Sequence, residues 1–112
     1  MINLDEKYDV RLLHGIEGED ENTNVDVVVE LASGKRYGAT FVTLANLRTL
    51  METYRETGEC AHGLYVWASD MIVVRTLSKA VIEATVQDLL RSGEFADAFQ
   101  ELQSPDADIR EN

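Results

Sequence analysis

The sequence predicts an α+β domain: a largely antiparallel five-stranded sheet in the order βββ-α-ββ-α-α, with two main helices packed on one face. Three observations carry this prediction. Three segments show period-2 patterning and two short apolar ones read as a hairpin, two longer ones carry apolar stripes at helical spacing, and the strands come in runs separated from the helices.

The first alternation runs from Tyr8 to Ile16, with Tyr8, Val10, Leu12, His14 and Ile16 on one face. Glu17 to Asn24 is polar and reads as a loop. Val25, Val27, Val29 and Leu31 then alternate with Asp26, Val28 and Glu30, a strand with one wet face. The next strand spans Lys35 to Thr43, and its register against the preceding one is decided by the loop. A two-residue loop at Ser33-Gly34 would put the two apolar sets on opposite faces. A three-residue loop, Ala32 to Gly34, pairs Val29 with Tyr37, Val27 with Ala39 and Val25 with Phe41. It keeps one face dry and puts Gly34 where a left-handed residue is wanted.

Thr43 is a good helix N-cap, and Leu44, Leu47, Leu50, Met51 and Tyr54 trace a helical stripe that Gly58 closes. Leu64 to Ala68 and Met71 to Arg75 read as a hairpin turning at Ser69-Asp70. Ser78 caps a second helix through Val81, Ile82, Val86, Leu89 and Leu90 that stops at Gly93. Phe95, Phe99 and Leu102 suggest a short third helix over 95–102. The domain is expected to span 1–102, with 103–112 a disordered acidic tail containing Pro105.

A chain of 112 residues fits one domain, and its 45% hydrophobic content suffices for a core. The net charge of -11 disfavours nucleic acid, whose binding rests on cationic contacts to phosphate, and anionic membrane surfaces for the same reason. Residues 1–34 carry nine acids and two bases and residues 76–112 eight and three, whereas residues 35–75 carry four and five. Both ends are acidic and the middle is nearly neutral. Cys60 is the only cysteine, so no intrachain disulfide is expected, and Met1 to Val10 holds four charges and no apolar run of the signal-peptide kind. A soluble, cytoplasmic protein is the expectation.

Candidate chemistry is sparse. Cys60 and His62 are the most reactive-looking pair, but residues two apart seldom face each other, and Asp70 or His14 would complete a constellation only if the fold brought them near. An incidental loop pair is the simpler reading, and His14 on an apolar face is more often structural than catalytic. Two histidines and one cysteine are too few for a nitrogen-sulfur zinc site, and the carboxylates between Glu17 and Asn22 lack calcium-loop spacing. No metal or cofactor is expected. Lys35, Arg36, Arg48, Arg55 and Arg75 form at most a basic patch.

The Leu64–Val74 hairpin is the more informative feature. Its pairing would set Tyr65, Trp67, Ile72 and Val74 on one face and Leu64, Val66, Ala68, Met71 and Val73 on the other, both apolar. A sheet covered on one side leaves one set exposed, which points to a partner surface anchored by Tyr65 and Trp67, most simply in a homodimer. The expected function is therefore a non-enzymatic protein-interaction domain that binds itself or another protein. The alternatives are a neutraliser of a basic protein, in the manner of immunity proteins or antitoxins, and a small-ligand binder or enzyme with a cleft near Cys60 and His62. A DNA-mimicking acidic surface is a weaker third.

Overall fold

Four of the five expected strand segments do form a sheet, and its apolar face collects the residues that the period-2 pattern groups together. The structure is a computed structural model that describes residues 7–16 and 18–102. Its strands are β1 (Tyr8–Leu12), β2 (Asn24–Leu31), β3 (Arg36–Thr43), β4 (Met71–Val74) and β5 (Gln100–Leu102), and its helices α1 (Leu44–Thr57), α2 (Glu59–Gly63), α3 (Lys79–Ser92) and α4 (Phe95–Ala98). This is an α+β fold. The expected tail over 103–112 lies outside the described residues.

The order across the sheet is β1-β2-β3-β4, with β5 also on β3. β1, β2 and β5 pair antiparallel, and β4 runs parallel to β3. β3 is the hub. One edge of it holds β2; the other is shared, with β4 beside Thr40–Thr43 and β5 beside Arg36–Gly38.

The β2–β3 register is the one the three-residue loop demands: Val25 opposite Phe41, Val27 opposite Ala39 and Val29 opposite Tyr37. The Gly34 amide donates to the Leu31 carbonyl, and Gly34 takes the left-handed conformation (φ 96°) that the loop requires. Thr43 and Ser78 cap α1 and α3 through their side chains, and left-handed Gly58 and Gly93 end them.

The core joins the apolar face of β2 and β3 to Leu77, to Ile82, Val86 and Leu90 of α3, and to Phe95 and Phe99. Phe95 stacks on Phe99 at 4.4 Å and meets Tyr37 edge-on at 5.1 Å, while Phe99 also faces Phe41. Tyr8, Val10, Leu12, Ile72 and Val74 close its rim. The covering of this face is not shared between two helices as the sequence suggested. α3 supplies it together with Leu77, Phe95 and Phe99, and α1 contributes no residue to the core cluster; its one buried residue is Asn46.

Three elements depart from the periodicity. Leu64–Ala68 does not pair as a strand, because β4 takes its ladder from β3, where Ile72 and Val74 reach the core. The third helix ends at Ala98. Phe99 turns extended to fill the core, and the next three residues complete the free stretch of β3 edge as β5. β1 stops at Leu12, so His14 lies beyond the strand and is exposed rather than on its apolar face.

Phe95→Ala is expected to destabilise the fold by about 3–5 kcal/mol, since the vacated volume is walled by Tyr37 and Phe99. Urea unfolding with an unchanged denaturant slope is the check.

Candidate functional site

Side chains capable of chemistry are placed by three local structures: a polar clamp at the start of α1, a left-handed turn at its end, and an arm leading to β4. The clamp is built on Thr43. Its hydroxyl accepts from the Asn46 amide as the helix cap and from the Thr23 amide across the sheet, both at 3.1 Å. The Asn46 side chain donates to Asn22 Oδ1 at 2.8 Å and accepts from Asn24 Nδ2 at 2.7 Å, and Asn22 reaches on to Thr49. α1 is therefore held to the sheet by hydrogen bonds where a packed stripe was expected. These contacts join residues more than twenty positions apart, so no local sequence pattern announces them.

At the far end of α1, Cys60, Ala61 and His62 all have positive φ (50°, 54° and 59°), one turn of left-handed helix between Gly58 and Gly63. For residues with a Cβ such backbone costs roughly 1–2 kcal/mol each. Gly63 compensates by close approach: a Cβ there would lie 2.3 Å from the Met51 carbonyl oxygen. The turn thus folds back against α1. Cys60 is half-buried, and the exposed His62 ring lies over Gly58.

The four sequence candidates do not assemble. His14 Nε2 donates to the Asn24 carbonyl at 3.1 Å, and Asn24 in turn bonds Asn46 in the first turn of α1. Gly58, which opens the Cys60–His62 turn, is twelve helical residues beyond Asn46, roughly 18 Å along the axis. Asp70, with φ 53°, precedes β4 and offers its carbonyl to the Thr40 amide. It borders a shallow depression of about 230 Å³ on the open sheet face, with Asp26, Thr40, Gly38 and Leu102, which neither Cys60 nor His62 lines. Among the described residues no three His, Cys, Asp or Glu side chains are grouped to hold a metal ion.

The acidic loop is more ordered than a solvated stretch of repelling carboxylates. The Asp20 and Leu77 backbones exchange hydrogen bonds, Thr76 donates to Glu19 at 2.5 Å, and Asp20 accepts from the Asn22 amide. Of the basic residues on α1, Arg55 approaches Glu52 at 4.0 Å, an exposed pair worth little.

The expected interface set divides. Ile72 and Val74 turn to the core, whereas Tyr65 and Trp67 lie in the irregular arm and are exposed. Leu64 and Val73, assigned by the hairpin to the opposite face, are also exposed, Leu64 next to Tyr65 in the arm and Val73 on β4. Relative exposures are 78% for Leu64, 47% for Tyr65, 68% for Trp67 and 48% for Val73. No helix among the described residues is long and apolar enough to cross a membrane. Comparison with protein-family models gives no match to this sequence, and curated proteins and solved structures show no significant match either.

Two substitutions probe the ends of α1. Asn46→Ala should cost about 1–3 kcal/mol in urea unfolding, by stripping the clamp of one of its two buried members. Gly63→Ala cannot keep both its left-handed backbone and its approach to Met51, so hydrogen exchange should rise across 59–64 while β2 and β3 stay protected.

Proposed function

We propose that this chain is a non-enzymatic protein-interaction domain whose contact surface is the arm from Leu64 to Trp67 together with Val73. The observation that carries this reading is the concentration of exposed apolar side chains. Of seven exposed large hydrophobic residues among those described, four fall between Leu64 and Val73. Exposed apolar side chains gathered in one segment suit an interaction site, and Trp and Tyr are the side chains most often found to anchor one.

Charge narrows the partner. The arm belongs to the nearly neutral middle of a chain whose net charge is -11. A net-acidic domain with an apolar arm suits a basic protein with an apolar cleft: opposite charge speeds the encounter, and desolvated aromatic anchors slow release. This is the neutraliser reading in physical form. The same acidity works against nucleic acid and anionic membranes. A single cysteine accords with a cytoplasmic setting. The enzyme alternative loses support because Cys60, His62, His14 and Asp70 do not converge.

The test places a photo-crosslinking amino acid at Tyr65 in the full chain, in its source cells, with a control at exposed Glu83 on α3. A discrete adduct with a basic protein from position 65 alone supports the reading; none, or the same products from both positions, overturns it. With that partner purified, Trp67→Ser should weaken binding at least 30-fold or so, the effect of losing a hot-spot anchor. Its own unfolding midpoint should stay nearly fixed, because Trp67 is exposed.

A further inference from the structure

We infer that a second copy of this chain docks edge to edge on β1, antiparallel about a two-fold axis through Val10, so that two sheets continue as one. This goes beyond the partner surface proposed above and uses the opposite side of the sheet. β1 is the terminal strand, and among the described residues no strand lies along its outer edge. At five residues it exceeds β4 and β5 on the far side, which have four and three. Tyr8-Asp9-Val10-Arg11-Leu12 contains no proline, no glycine and no charge pointing to the core, and its two edge charges, Asp9 and Arg11, are of opposite sign.

The hydrogen-bond phase of β1 fixes which of its groups are free. The Ala32 amide donates to the Lys7 carbonyl and the Leu13 amide to the Asp26 carbonyl, so Lys7 and Leu13 turn their backbone groups toward β2. Antiparallel bonding alternates along a strand, so Asp9 and Arg11 also face β2, and the N–H and C=O of Tyr8, Val10 and Leu12 point outward. A two-fold through Val10 matches this phase at every position. Val10 exchanges both bonds with Val10 of the second copy, and Tyr8 does so with Leu12 of the second copy.

The side chains select the same register. It sets Asp9 opposite Arg11 of the second copy, twice by symmetry, at the non-bonded pairs where side chains come closest. Moving the axis to Asp9 or Arg11 keeps the phase but puts like charges face to face, and a one-residue slip breaks the phase and inverts the faces. On the other face, Tyr8, Val10 and Leu12 are only half-buried at the rim of the core. An axis normal to the sheet keeps both core faces on one side, so each copy's rim is closed by the other's. Arg11 already lies 3.1 Å from Glu30, leaving it between that carboxylate and Asp9 of the second copy.

The test is light scattering on the size-excluded full chain with a charge-swap cycle. The wild type is expected at twice the chain mass at high micromolar concentration. Asp9→Arg and Arg11→Asp, each creating two like-charge pairs, should weaken dimerisation about ten-fold, and the double substitution should restore it. Val10→Pro should abolish it while sparing the β1–β2 ladder, because the Val10 amide points outward. If that variant does not fold, the swap cycle still decides. In the wild-type dimer, the Tyr8, Val10 and Leu12 amides should exchange more slowly than in the diluted monomer. A wild type that stays monomeric overturns the inference, as does a dimer indifferent to these substitutions or a double substitution that restores nothing. A dimer broken by Trp67→Ser instead would overturn it by moving self-association to the arm.

Discussion

A central strand must satisfy its backbone groups along both edges, and in β3 one edge goes to β2 while the other is divided between β4 and β5. Much of the chain's course follows from that division. β4 covers only Thr40–Thr43, so the chain must return after α3 to complete Arg36–Gly38, and β5 does so. Phe95 and Phe99 arrive with that return, stacked on each other, and pack against Tyr37 and Phe41 of the same strand. The hydrogen-bond requirement of one strand and the filling of the core are met by a single excursion of the chain.

Two kinds of attachment then divide the molecule. On the core face α3 is held by apolar burial through Ile82, Val86 and Leu90. At the end of β3, α1 is held by the Thr43–Asn46–Asn22–Asn24 hydrogen bonds, which are directional and worth about 1 kcal/mol apiece, and it gives no side chain to the core. The stripe of α1 is left half-covered, its end folds back through a left-handed turn, and the arm that follows carries Leu64, Tyr65 and Trp67 into solvent. An apolar arm on the less deeply packed part of a domain is suited to contact with another protein, where its burial can be completed.

The two surfaces proposed for contact lie at opposite ends of the strand order and differ in physics. The arm offers apolar area with little charge. The β1 edge offers outward-facing backbone groups that no strand among the described residues pairs, and its specificity comes from the order of Asp9 and Arg11 around Val10. A self-paired molecule would present two arms, so one partner-binding site becomes two held in fixed relation.

The sequence by itself determined what local physics decides. Helix limits follow from Thr43, Gly58, Ser78 and Gly93, and the β2–β3 register follows from Gly34 and from keeping one face dry. Pairing between distant segments is another matter. The apolar run Leu64–Ala68 suits an extended chain without naming a partner, and β4 pairs with β3, where Ile72 and Val74 pack half-buried against the core. The stripe Phe95–Leu102 is equally compatible with a helix, until the open edge of β3 draws its last residues into a strand. The candidate site divided along the same line. Tyr65 and Trp67 were legible as excess apolar surface, while the packing of Ile72 and Val74 against the core, the exposure of Leu64 and Val73, and the separation of His14 from Cys60 and His62 were left to tertiary structure. Caps and turns are fixed by a residue's own backbone preference. Strand partners are fixed by which long-range pairing buries more surface and leaves fewer backbone groups unmet, a comparison only the folded chain makes.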